Sequence, residues 1–128
     1  MKKPALDPKT IEPRTSTGYP APFDKVTAGR KKRALTAALG LTQFGVNLTE
    51  IPPGSASALR HWHTKEDEFV YIVSGEVVLV TDEGEQTLTA GMVAGFPAGV
   101  PDGHCVRDMS GGPAVILEVG TRHPEDEG

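Results

Sequence analysis

The clearest alternation of apolar and polar positions begins at Phe44. Phe44, Val46 and Leu48 are apolar, and Gln43, Gly45, Asn47 and Thr49 between and around them are not. A period of two sends each class to its own face, so this stretch predicts a strand with one buried side. Just upstream, Leu35, Leu39 and Leu41 follow helical spacing and predict a short helical turn. Ile51-Pro52-Pro53-Gly54 ends the strand, because proline cannot donate to a ladder and glycine allows a reversal. The later candidate strands are short: Leu59 to His63, Phe69 to Val73, Val77 to Thr81, Gln86 to Thr89, Met92 to Phe96, His104 to Arg107 and Val115 to Val119. Ser74-Gly75-Glu76 predicts a hairpin between the Phe69 and Val77 segments, and Asp82-Glu83-Gly84-Glu85 a second turn. About eight or nine short strands, with a turn roughly every 8 to 12 residues, predict an all-β sandwich or barrel.

Length and composition agree with that pattern. The chain has 128 residues, room for one domain, and its 15 glycines and 11 prolines punctuate short segments. Five prolines fall in residues 1–25, which predicts an extended N-terminal arm whose Tyr19 and Phe23, with Val26, seek a surface to cover. Residues 26–120 form the barrel domain on this reading, and residues 121–128 an acidic tail. No apolar run approaches the ~18 residues of a membrane span. The net charge of −4 has the wrong sign for a duplex-binding domain, so neither membrane nor nucleic acid is an expected partner. The basic run Gly29-Arg30-Lys31-Lys32-Arg33 is read as a solvated turn entering the first strand. A single cysteine, Cys105, and a proline-interrupted N-terminus fit a cytoplasmic, untargeted protein.

The histidines carry the chemistry. Residues two apart on a strand share a face, so His61 and His63 present two imidazoles side by side while Trp62 points the other way. By the same parity Glu68 shares a face with Val70 and Ile72, and Phe69, Tyr71 and Val73 take the other. A third imidazole, His104, lies in a later candidate strand, with Cys105 and Arg107 turned away from the interior. Cys105 has no base placed for it and reads as a buried, inert thiol.

The spacing of these residues has a familiar form. Gly54, six residues, His61-Trp62-His63, four residues, Glu68, six residues and Gly75 resemble the first signature motif of the cupin superfamily, with one extra residue after the first glycine. Gly91, five residues, Pro97-Ala98-Gly99, four residues and His104 resemble the second, although the spacer before His104 is longer than usual and Asp108 stands where an asparagine is common. The resemblance implies an antiparallel jelly-roll barrel of the small single-domain, cupin-2 conserved-barrel type. It also implies a metal site of His61, His63, Glu68 and His104. Three imidazoles and one carboxylate suit one divalent transition ion, Fe, Mn, Ni, Co, Cu or Zn, and four protein ligands on an octahedral ion leave about two positions open.

Two functions follow. One is a metal-dependent enzyme on a small oxygenated metabolite, a dioxygenase, decarboxylase or isomerase, with Glu68 as fourth ligand or, when substrate displaces it, as catalytic base. The other is a non-catalytic cupin that binds or senses a metal or small ligand. The bland alternative is a barrel whose four polar residues only hydrogen-bond to one another. The chain also resembles small one-barrel cupins, some of them described as sugar-phosphate isomerases, but neither motif carries an inward-facing basic residue for a phosphate. The outward stripe of Trp62, Phe69, Tyr71 and Val73 predicts a homodimer packed through that face.

Overall fold

A computed structural model describes residues 4–15, 21, 23–57 and 63–122. Among these residues eight strands and one short α-helix follow in order: β1 (Lys31–Ala34), α1 (Leu35–Leu39), β2 (Phe44–Ile51), β3 (Glu68–Ser74), β4 (Glu76–Thr81), β5 (Gly84–Thr89), β6 (Val93–Phe96), β7 (Cys105–Arg107) and β8 (Ala114–Thr121). They form a five-stranded sheet, β1-β2-β8-β3-β6, and a three-stranded sheet, β5-β4-β7, with all pairings antiparallel. The protein is an all-β antiparallel jelly roll. Among the described residues no helix is long and apolar enough to cross a membrane.

The expected apolar face of β2 is not its most buried one: Gly45, Thr49 and Ile51 turn to the core, in register with the buried Ile116 and Ala114, while Phe44, Val46 and Leu48 share the outer face with Tyr71. Ile51, Val70, Ile72, Ala114 and Ile116 of the larger sheet meet Val77, Leu79, Leu88 and Val106 of the smaller one, and Ala94 and Phe96 pack against them. Burying an aliphatic side chain of this size contributes about 1.5–3 kcal/mol, so this layer holds the sheets face to face. Phe69, Tyr71 and Val73 point the opposite way and stay exposed, as their parity requires.

Two further local expectations change. Ser74-Gly75-Glu76 does not close a hairpin: β3 pairs with β6 and β8, β4 pairs with β5 and β7, and the chain passes from one sheet to the other at Gly75. A three-residue turn between apolar runs looks the same in sequence whether the strands pair or separate, and the choice falls to their other partners. Gly75 has φ +83°, and a Cβ there would lie 2.8 Å from both Ala114 Cα and Pro113 O, so the crossing needs both the left-handed backbone and the missing side chain. The second change concerns the basic run. Lys31 to Arg33 lie in β1, and Arg30 is buried, with Nη1 donating to the Ser57 carbonyl. Its charge is held by backbone rather than by water.

Asp7 caps a 3-10 turn at Pro8–Thr10, accepting from Lys9 N, and Arg14 and Lys32 exchange backbone hydrogen bonds of 2.8 and 3.0 Å along the outer edge of β1. That pairing covers part of an edge that would otherwise present open donors and acceptors. Downstream, Val26 O accepts from Ala56 N at 2.8 Å, and Ser55 Oγ donates to Ala28 O. Tyr19, Trp62 and residues 123–128 lie outside the described residues.

Gly75→Ala is expected to lower stability by at least about 2 kcal/mol more than Gly40→Ala. Both positions carry a positive φ, which costs about 1–2 kcal/mol in an L residue, but a Cβ at Gly40 meets nothing within 4 Å. Denaturant midpoints of the two variants check this, and equal losses would mean that the crossing tolerates a side chain.

Candidate functional site

Glu68 opens β3, and across the sheet its register partner on β6 is Phe96. Directly paired residues share a face, so carboxylate and ring stand side by side on the inner surface. His104, immediately before β7 on the opposite sheet, lies flat on Phe96, with ring centroids 3.6 Å apart and planes within 2°. The stack carries His104 Nε2 to 3.3 Å from Glu68 Oε1. His104 is buried, whereas Glu68 is only partly shielded.

His63 itself lies outside the strands, in the segment that leads into β3, and residues 59–62 of the expected strand lie outside the described residues. Its carbonyl accepts from Gly99 N at 2.8 Å, and Asp67 Oδ1 accepts from Ala98 N at 2.8 Å, so the turn Pro97-Ala98-Gly99 clamps the segment leading into β3. Asp67 is tied on its other side to Thr121 by two further hydrogen bonds of 2.9 and 3.1 Å. Held this way, His63 places Nε2 3.4 Å from Glu68 Oε2 and Nδ1 3.8 Å from Glu66 Oε1.

Three of the four sequence-derived site residues thus converge: Glu68 lies between His63 and His104, one carboxylate oxygen toward each ring. His61 lies outside the described residues. Among the described residues no three His, Cys, Asp or Glu side chains close as a ready cage. The donor types nevertheless fit a transition ion. Ligand bonds of about 2.0–2.2 Å set adjacent donors roughly 3.0–3.5 Å apart, the separation seen on both sides of Glu68.

The site opens into a cavity of about 580 Å³. Its floor is apolar, from Leu79, Leu88, Ala94 and Phe96. The lip is mixed: Glu66, Glu83, Glu85 and Asp102 contribute carboxylates beside the exposed Val93 and Val100, and among the described lining residues there is no lysine or arginine. Lys32, on the inner face of β1, is not among them and has Nζ 3.8 Å from Glu118 Oε1. Sequence reasoning missed the lip, because Glu83 and Glu85 sit in what reads as an ordinary polar turn. It also missed Phe96 as the platform for His104, since stacking across two sheets leaves no trace in spacing.

The cupin domain family model matches residues 47–120, and the chain belongs to the cupin family. A crystal structure from Silicibacter pomeroyi DSS-3, described as a sugar phosphate isomerase of the cupin superfamily, is 45% identical with a TM-score of 0.92. The match covers 96% of this chain and 78% of that one. A candidate sugar phosphate isomerase from Acidithiobacillus ferrooxidans is 31% identical with a TM-score of 0.72, over 76% of this chain and 62% of the other. A predicted oxalate decarboxylase from Thermotoga maritima, 21% identical over 93% of this chain and 99% of its own with a TM-score of 0.75, shares the fold. No curated protein matches the sequence.

Phe96→Ala is expected to lower stability by roughly 2–3 kcal/mol, somewhat below the 3–5 of a fully buried ring, and to release His104. The ring-current shift on the His104 carbon-bound protons should then collapse in the NMR spectrum. An unchanged His104 resonance would mean that the stack does not position it.

Proposed function

We propose that the protein is a metal-dependent enzyme acting on a small oxygenated metabolite, with isomerisation by proton transfer between neighbouring carbons of a hydroxy-carbonyl compound as its reaction. The observation that carries this reading is the Glu68 carboxylate held between two imidazoles beside a cavity with an apolar floor. His61, His63, His104 and Glu68 would hold one divalent transition ion. When bound, such an ion polarises a carbonyl or hydroxyl oxygen and makes the adjacent C–H more acidic. Glu68, displaced by substrate, takes the proton from one carbon and returns it to the next, and Phe96 keeps His104 in place while it does so. Leu79, Leu88 and Ala94 exclude water from the floor, which strengthens each of these interactions. The isomerase descriptions of the 45% and 31% identical relatives support the reaction class. The carboxylate lip argues for a substrate without a phosphate, because an anion would meet Glu83 and Glu85 before any compensating cation among the described lining residues.

A second reading, a non-catalytic cupin that binds a small ligand, is supported by the pairing of Glu68 with both imidazoles, which satisfies these polar groups against one another. We further propose a cytoplasmic homodimer packed through the outer face of the larger sheet. There Phe69, Tyr71, Val73 and Val93 are 42%, 39%, 44% and 54% exposed.

Elemental analysis of the purified protein should find about one transition ion per chain, lost in His63→Ala and in His104→Ala. Glu68→Gln should lower turnover of a hydroxy-aldehyde by about 10²–10⁴-fold. Metal without turnover across hydroxy-aldehydes and hydroxy-ketones would leave the binding reading, and full occupancy in His63→Ala would remove the ligand set.

Sedimentation of the wild type should show a dimer at micromolar concentration and Tyr71→Glu a monomer. A monomeric wild type would end the dimer proposal.

A further inference from the structure

His63 stands between two carboxylates. Nε2 faces Glu68 at 3.4 Å and Nδ1 faces Glu66 at 3.8 Å, and Glu66 lies one loop turn later at i+3. A neutral imidazole has one N–H and one lone pair, so the tautomer present decides which nitrogen can ligate. For Nε2 to offer its lone pair toward Glu68 and the cavity, the proton must sit on Nδ1. Glu68 by itself favours the opposite arrangement, because it rewards an N–H on Nε2.

We propose that Glu66 is a positioning residue that selects the Nδ1–H tautomer of His63 and thereby readies Nε2 for an ion. The proposal rests on the metal reading for its consequence, while its immediate effect is on the ring. At 3.8 Å the contact is longer than a hydrogen bond, so Glu66 acts as a nearby negative charge, directly or through one bridging water. Its side chain is only 22% exposed, which keeps part of that field from being screened by solvent. Glu66 faces the ring nitrogen remote from Glu68, so it supports His63 from behind instead of joining the ligand set. Outer partners of this kind fix ring orientation and typically change metal affinity by about 10–100-fold.

Two measurements on the full chain test the assignment. In metal-free, 15N-labelled protein at a pH where the rings are neutral, long-range 1H–15N spectra report the His63 tautomer. Glu66→Gln should lower the Nδ1–H fraction, and Glu66→Asp should restore part of it. In a chelator-competition titration with Zn²⁺, Glu66→Gln should weaken binding by about 10–100-fold, and Glu66→Asp should recover most of the loss. The deficit should persist at about 0.5 M KCl, where the influence of distant surface charges is largely screened. An unchanged tautomer ratio in Glu66→Gln, or a Zn²⁺ deficit that vanishes in high salt, would overturn the proposal. A wild type that binds no Zn²⁺ would sink the metal reading, and the tautomer comparison would still decide the role of Glu66.

Discussion

The apolar contact between the two sheets is the constraint on which the candidate site depends. Glu68 belongs to the larger sheet and His104 adjoins the smaller, and their 3.3 Å approach exists only because Val70, Ile72 and Ile116 are pressed against Val77, Leu79 and Val106. A half-shielded carboxylate facing two imidazoles is costly to assemble from solvated side chains, since each group gives up water and rotamer freedom. The hydrophobic layer supplies the free energy that offsets this, and the Phe96–His104 stack transmits the geometry from core to site. Site and core therefore share one structural margin, and a cavity made in the core near Phe96 displaces an imidazole.

The connecting segments follow the same logic. Gly75 carries the chain between sheets at a point where the backbone of Pro113 and Ala114 leaves no space for a β-carbon. The turn Pro97-Ala98-Gly99 fastens the loop bearing His63, so a histidine outside any strand is still held by three backbone-directed hydrogen bonds through its own carbonyl, Asp67 Oδ1 and Asp67 N. Arg30, which belongs to an apparently solvated basic run, is instead drawn inward to the Ser57 carbonyl. Each case shows a locally ordinary residue given its role by a partner distant along the chain.

The cavity has two chemical zones. The floor is apolar and bounded by the imidazoles of His63 and His104, behind which Glu68 stands, and Thr81 and Gln86 add neutral polar groups to the lining. The lip is acidic, so charge is sorted before a ligand reaches the floor. The proposed preference for a substrate without phosphate rests on this division, even though a 45% identical protein is described as a sugar phosphate isomerase. Fold and loop contacts descend together in a family, while the charge of a cavity lip is set by a few exposed turn residues that exchange without cost to the core.

How much of this was legible beforehand follows from the range of the interactions involved. Strand periodicity is local, and so β3, β4 and the outward turn of Phe69, Tyr71 and Val73 could be read directly, whereas β2 was legible as a strand but not in its buried face, which carries Gly45, Thr49 and Ile51 because the second sheet closes on that side. The histidines and Glu68 could be nominated because their spacing resembles the cupin motifs and strand parity puts Glu68 inside. Pairing is not local. Whether β3 and β4 close on one another or part at Gly75, whether Glu66 or solvent meets Nδ1 of His63, and which ring supports His104 depend on contacts between residues as far apart as 68 and 104. Alternation and spacing are written along one segment, whereas these contacts exist only after the two sheets have closed, and so the tertiary structure alone decided them.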